Sequence, residues 1–228
     1  MAQHPPPILP SKFKTSLKMA ISKLQFIQEK KVALTKQQRR SLADLLNQGK
    51  ESSAKIRVEN IIRDDIYIEL LEYLELYCEL VLARISLILD ATDCDESLLE
   101  SVSSIIYSAN HSELKEVTQV KELFIHKFGI EFGKKALDNT DGHVPEKILK
   151  RCKVPPPSEE LVNLYLCEIA KAYSAPYSGL PAPAPEADDD DDDDEPSGGE
   201  KIAEPIAETP KPIDELDALK ARFAALKK

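Results

Sequence analysis

Two long stretches with the period of a helix, interrupted at Gln48-Gly49, occupy the first 90 residues and leave few folds open. From Ser11 to about Asn47, Phe13, Leu17, Ala20, Ile21, Leu24, Ile27 and Leu34 recur at three- and four-residue steps, the spacing of one helix face. Gly49 then offers the residue after a helix C-cap, where a left-handed backbone ends the run. The spacing predicts a second helix from about Glu51 to Leu89. In its later half, "IYIELLEYLELYCELVLARISLIL", apolar residues lie on most sides. Asp65, Glu69, Glu72, Glu75 and Glu79 form a single acidic stripe, expected to be its one narrow solvated face. Joined by a tight turn, the two helices make an antiparallel hairpin whose arms are each about 55 Å long at 1.5 Å per residue. That is longer than a compact domain requires, and such hairpins suit side-by-side assembly.

Shorter helices follow. "DESLLESVSSIIYSA" is apolar at Leu98, Leu99, Val102, Ile105 and Ile106, and "SELKEVTQVKELFIHKF" starts from Ser112 as an N-cap. "VPEKILKRC" places Pro145 at a helix start, and Ser158 caps "EELVNLYLCEIAKAY", with Leu161, Leu164, Tyr165 and Ile169 on one face. With 7 Gly, no Trp and many helix formers, the chain reads as all-α. No stretch is long and apolar enough to span a membrane, and "MAQHPPPILPSKFK" lacks the pattern of a secretory signal. Cys78, Cys94, Cys152 and Cys167 form no CxxC pair and read as reduced thiols of a cytoplasmic protein.

Charge is distributed unevenly along the chain. Residues 12–63 hold 13 Lys and Arg against 4 Asp and Glu, so with a total of −10 the remaining residues sum to −19. The basic strip on the first helix includes Lys12, Lys14, Lys18, Lys23 and Lys30, beside Met19, Phe26 and Ala33 at seven-residue spacing. Either an anionic membrane or a neighbouring subunit in a homo- or hetero-polymer fits such a strip; an equally good reading is a solvated face with incidental apolar residues. Nucleic acid is not expected, because no aromatic platform or groove-reading motif accompanies the charge.

Beyond the helical core, residues 11–175, the composition changes. Residues 176–212 are rich in Pro, Ala, Asp and Glu, include seven consecutive aspartates from Asp188 to Asp194, and are expected to be a disordered acidic linker. Residues 213–228, "IDELDALKARFAALKK", return to a helix pattern with Leu216, Leu219, Phe223 and Leu226 on one face. A helix this short is marginal alone in water, so the tip is expected to order as its apolar face enters a partner's groove.

Nucleotide-binding loops, HExxH and GxSxG are absent, the four histidines have no metal-like spacing, and carboxylates on a helix stripe are usually its wet face. No cofactor, metal or catalytic residue is expected, and the chain does not read as an enzyme.

The spacing Leu219-x-x-Arg222-Phe223-x-x-Leu226-Lys227 resembles the MIT-interacting motif LxxRLxxLK at the C-termini of ESCRT-III subunits, with Phe223 in place of Leu. "KIRVENIIRDDIYIELLEYLELYCELVLARI", residues 55–85, resembles the signature of the Increased Sodium Tolerance (Ist1) family, and "VPEKILKRC" and "LVNLYLCEIAKAYSAPYS" resemble its closing segments. The resemblance implies an ESCRT-III-like helical core, a long hairpin with shorter helices packed on it, and an adaptor recruited to endosomal membranes in multivesicular-body sorting. It implies a tail that binds MIT domains of the ESCRT-disassembling AAA ATPase and of its activator through Leu216, Leu219, Arg222, Phe223, Leu226 and Lys227. It also implies a core groove for the C-terminal helix of a Did2/CHMP1-type subunit, for which Leu164, Tyr165 and Glu168 are the expected contacts; Leu164 and Tyr165 fit a core role equally well. The competing reading of the acidic run is a chaperone or scaffold for basic proteins unrelated to membranes. Loss of partner binding on deleting residues 187–195, with the tip intact, would favour that reading.

Overall fold

The computed structural model describes residues 10–180, and in them every regular element is a helix. α1 runs Pro10–Asn47 and α2 Glu51–Ala83. Between them Gly49 has φ +71°, its N–H donates to the Leu46 carbonyl, and the Lys50 N–H donates to that of Leu45. This pair of backward bonds satisfies carbonyls that the helix end leaves open, and it turns the chain sharply enough for α2 to return along α1.

α2 ends earlier than its apolar run suggests. Arg84 leaves the helical region at φ −108°, ψ 28°, and a separate short helix, α3, Ile85–Asp90, continues in a new direction. The bend aims Ile85 and Ile88 into the core. At the end of α3 the Leu89 carbonyl accepts a hydrogen bond from Lys127 Nζ. Tertiary contacts therefore decide the break, because nothing in the local sequence stops a helix there.

α4 spans Glu96–Ser108, with Asp95 as N-cap accepting from the Ser97 N–H. α5 spans Lys115–Phe128 and begins after Leu114. Ser112 is thus not its cap. Its side chain is buried and donates to the Ala109 carbonyl, and its own carbonyl accepts from Tyr67 Oη on α2. Gly129, at φ +94°, joins α5 to α6, Ile130–Asp138. Pro145 stands one position before α7, Glu146–Cys152. α8, Glu159–Tyr173, begins at Ser158, whose Oγ accepts from the Leu161 N–H as expected.

Two buried clusters lie along the hairpin. Toward its open end, Phe13, Leu17, Ala20 and Leu24 of α1 and Leu70, Leu74, Cys78 and Val81 of α2 pack with α4, α5 and α7. Phe13 meets Phe124 edge-on at 5.1 Å between ring centroids. Near the turn, Leu42 and Leu46 of α1, Val58, Ile61 and Ile62 of α2 and Leu166 and Ile169 of α8 are buried, where α8 contacts both arms.

Between the clusters the arms meet through polar side chains. Leu34, assigned above to the core face, is 42% exposed, and the inward positions fall to Thr35 and Arg39. Gln25 and Gln28 both donate to Glu75, Lys31 pairs with Asp64 at 2.7 Å, and Arg39 pairs with Asp65 at 2.6 Å. The acidic stripe of α2 is therefore not one wet face. Asp65 and Glu75 turn to α1, Glu69 is held by Arg151 of α7, and Glu72 and Glu79 stay exposed.

Cys78 lies wholly buried in the first cluster, and burial followed by the charges of Glu75 and Glu79 pushes its thiol up to about 12. A pKa raised by folding contributes stability that is complete below the unfolded value, near 9, and is lost as pH rises through the folded one. Tyr67, raised to about 12 from near 10 by burial and by the Glu113 charge, acts in the same sense. The urea midpoint should therefore fall between pH 9 and 12, and Cys78→Ala should flatten that fall. An equal slope in wild type and variant would show that Cys78 does not carry it.

Candidate functional site

The closing segment of the core offers one candidate surface. In α8 the side chains of Val162, Tyr165, Leu166, Ile169 and Ala170 are buried against the hairpin. The inward face is thus rotated from the one read in sequence, because Leu161 and Leu164 are only half-buried. Tyr165, one of the three expected contacts, is part of the core. Its phenol lies with Arg39 and Asp65 and is held above its ordinary pKa by burial first and by the Asp65 charge second. Leu164 and Glu168 stay partly accessible on the same side of α8 as Leu161, at three- and four-residue steps, with Glu168 paired to Lys171 at 3.4 Å. Two of the three residues therefore share an accessible apolar edge with a carboxylate at its end, and the third supports it from beneath.

Contacts that sequence reasoning missed hold this region in place. Arg151 of α7 binds Glu69 at 2.6 Å and lies 5.0 Å from the Tyr73 ring centroid. Lys147 stands over Tyr73 and Tyr77, and Tyr77 Oη donates to Glu100 at 2.6 Å. α7 is thus clamped to α2 by cation–aromatic and ionic contacts as well as by buried Ile148. After α8 the chain stays attached beyond the expected core limit of residue 175. Tyr177 is buried and donates to Asn163 Oδ1 at 2.8 Å, and both the N–H and the hydroxyl of Ser178 donate to the Glu51 carboxylate. Those two bonds hold Glu51 below its usual pKa and fix the end of the core beside the hairpin turn. No periodicity signals them, since they join residues 127 positions apart.

The basic strip of α1 forms a second surface. Met19 is 53% and Phe26 57% exposed, with Lys12, Lys14, Lys18, Lys30 and Ala33 also exposed and Lys23 half-exposed over the Phe26 ring at 5.5 Å. Thr15, Lys18, Met19, Ser22, Lys23 and Phe26 line an open groove whose opposite wall includes Glu116 of α5. The structure also exposes an acidic, apolar ridge on α2 that the reading of a uniformly wet stripe concealed: Glu72, Leu76, Glu79 and Ala83, with Leu76 59% exposed. The residues expected to bind MIT domains, Leu216, Leu219, Arg222, Phe223, Leu226 and Lys227, lie outside the described residues, as do most of the linker and its Asp188–Asp194 run. Among the described residues no group of three or more His, Cys, Asp or Glu is placed to hold a metal ion, and no helix is long and apolar enough to cross a membrane.

Comparison with known proteins agrees with this architecture. Residues 14–176 match the family model Ist1, described as regulator of Vps4 activity in the MVB pathway. The vacuolar protein sorting-associated protein IST1 of Saccharomyces cerevisiae is 48% identical over 179 residues, covering 74% of this chain and 59% of that protein. An IST1-like protein of Dictyostelium discoideum is 33% identical over 174 residues, covering 76% and 47%. The corresponding Schizosaccharomyces pombe protein is 31% identical over 166 residues, covering 72% and 60%. The matched region thus spans only about half to three-fifths of the length of these relatives. The crystal structure of the S. cerevisiae Ist1 N-terminal domain in complex with a Did2 MIM motif superposes with a TM-score of 0.71 at 46% identity, covering 76% of this chain and 96% of that one. A long α-hairpin clamped by shorter helices and a family match that covers nearly all of that core lead to one assignment: this chain belongs to the Ist1 family, described as regulator of Vps4 activity in the MVB pathway.

Proposed function

We propose that the protein is a non-enzymatic adaptor of the ESCRT-III system that regulates recruitment and activity of the ESCRT-disassembling AAA ATPase in multivesicular-body sorting. The observation that carries this reading is the correspondence, at 46% identity over nearly all of it, between the core and a domain crystallised with a Did2 MIM motif. In this reading the core accepts the C-terminal helix of a Did2/CHMP1-type subunit, and residues 213–228 bind MIT domains of the ATPase and its activator. The protein works on the cytoplasmic side of endosomal membranes, to which its partners bring it.

The edge formed by Leu161, Leu164 and Glu168 suits the core's part in this. An amphipathic helix needs an apolar strip to cover and a charged rim to fix its register. A synthetic Did2-type C-terminal helix, titrated into the full chain by calorimetry, should bind with a Kd on the order of micromolar, as expected for a short segment that orders as it binds. Leu164→Asp combined with Glu168→Lys should weaken binding by about tenfold or more, with the thermal melt unchanged because both side chains are partly exposed. Undiminished affinity would place the groove elsewhere on the core. Absence of binding by the wild type would remove the adaptor reading of the core.

A further inference from the structure

Three consecutive prolines, Pro155 to Pro157, link α7 to α8 and belong to neither helix. A proline ring fixes φ near −65°, and the residue before a proline is pushed to an extended ψ. Val154, Pro155 and Pro156 each precede a proline, and Ser158 closes the segment at φ −67°, ψ 154°. Residues 154–158 therefore form a short polyproline II strap, with three residues per turn and a rise of about 3.1 Å each. Exposure follows that period. Val154 and Pro157, three apart, are half-buried and form the edge turned to the core, whereas Pro155, Pro156 and Ser158 are exposed.

Among the described residues, the carbonyls of Val154, Pro155, Pro156 and Pro157 accept no hydrogen bond. The fold thus presents two adjacent proline rings and a row of open carbonyls to solvent, already in the conformation that a partner would otherwise have to select. Neither flanking helix uses that outward face. α7 ends on a bond from the Lys153 N–H to the Leu149 carbonyl, and α8 begins at the Ser158 cap.

We propose that the α7–α8 strap is a docking site for a small domain with a single aromatic cleft, of the WW type. In such a cleft a tryptophan and a tyrosine ring grip one pair of consecutive prolines, and the indole N–H donates to an open carbonyl. A two-pocket cleft of the SH3 type does not fit the strap, because it grips dipeptides three residues apart. The outward edge runs from Pro155 to Ser158, whose hydroxyl is engaged in capping α8, and the other repeat, Val154 and Pro157, faces the core. Charge at the two ends sets the direction of docking. Lys153 stands exposed before the prolines and Glu159 and Glu160 after them, so the complementary cleft is acidic at one end and basic at the other. This proposal goes beyond the adaptor reading and stands independently of it, since its test contains neither a Did2-type helix nor an MIT domain.

The chain contains no tryptophan, so indole fluorescence in a mixture comes from the added domain alone. The probe is a panel of isolated WW domains that take consecutive prolines, each titrated with the full chain. At least one should respond with a Kd on the order of 100 μM, since two rings bury little area. Excess oligoproline peptide should reverse the response. Pro155→Ala/Pro156→Ala should weaken binding at least about tenfold, because it removes both gripped rings. Lys153→Glu should weaken it by about threefold, a difference that shrinks with added salt. Replacing Pro5, Pro6 and Pro7 with Ala should leave it unchanged. Circular dichroism melts of the variants should match the wild type, because the substituted side chains at 153, 155 and 156 are exposed. If the double proline variant does not fold, the Lys153 variant and its salt dependence decide in its place. The proposal is overturned if no member of the panel responds, if the Pro155/Pro156 variant binds as wild type does, or if binding is lost with the Pro5–Pro7 substitutions instead. Binding to an SH3 domain with no response from any WW domain overturns it equally.

Discussion

Replacing Asp65 with Ala should lower the unfolding free energy by about 3–5 kcal/mol, because it leaves the Arg39 guanidinium charged in a buried site without its carboxylate. The pair is 2.6 Å apart, with side chains only 10% and 13% exposed, and it lies between α1, α2 and the Tyr165 ring of α8. Loss of the carboxylate should therefore loosen α8 as well as the hairpin. Amide hydrogen exchange should rise in Glu159–Tyr173 before it rises in the cluster around Phe13 and Phe124. Lys31–Asp64 serves as the internal control. It has nearly the same separation, 2.7 Å, but 32% and 23% exposure, and Asp64→Ala should cost less than about 1 kcal/mol. Urea midpoints measured on both variants decide the matter. Equal small shifts would mean that water reaches Arg39 as freely as Lys31. The double variant Arg39→Met/Asp65→Leu should recover most of the loss, since apolar side chains of similar volume need no partner.

Substituting Leu226 with Asp should weaken binding of the tail to an isolated MIT domain by at least about 100-fold. Burial of a leucine is worth about 1.5–3 kcal/mol, and a carboxylate in its place adds a desolvation cost with no partner to offset it. The wild-type peptide of residues 213–228 should bind on the order of micromolar, with Leu216, Leu219, Phe223 and Leu226 in the groove and Arg222 and Lys227 setting register at its edge. Leu219→Ala should lose less, about tenfold, because it removes packing without introducing charge. Binding by Leu226→Asp equal to wild type would eliminate the helix-in-groove arrangement. In the full chain, deleting Asp188–Asp194 should leave affinity for the MIT domain unchanged. Loss of partner binding on that deletion would instead favour an acidic chaperone segment. Modest affinity suits a motif presented in many copies on an assembly, where several tails engage one multivalent partner.

The parts of the fold that follow from local chemistry were readable from residues alone. The hairpin needed only the period of Phe13, Leu17, Ala20 and Leu24, the apolar run of α2 and a glycine able to take φ +71°. The Ser158 cap needed only its hydroxyl and the helix pattern after it. Periodicity failed where a helix changes neighbours along its length. Leu34 keeps the spacing of the apolar face yet is exposed, since by then the inward positions are filled by Thr35 and Arg39 facing Asp65. The acidic residues of α2 share a stripe in sequence, yet Asp65 and Glu75 turn to α1, Glu69 to α7, and Glu72 and Glu79 stay exposed, because two different helices approach that side.

The candidate surfaces divide in the same way. Composition and repeats within single helices were enough to give the all-helical core, the long hairpin and the basic strip with Met19 and Phe26 among the described residues. Packing between distant helices is what buries Tyr165 while Leu164 and Glu168 remain partly accessible, latches Ser178 to Glu51, and leaves Leu76 exposed between Glu72 and Glu79. Those outcomes depend on which helix arrives from far along the chain to cover a given face. Spacing within a helix records which residues share a side; it does not record which sides find a partner.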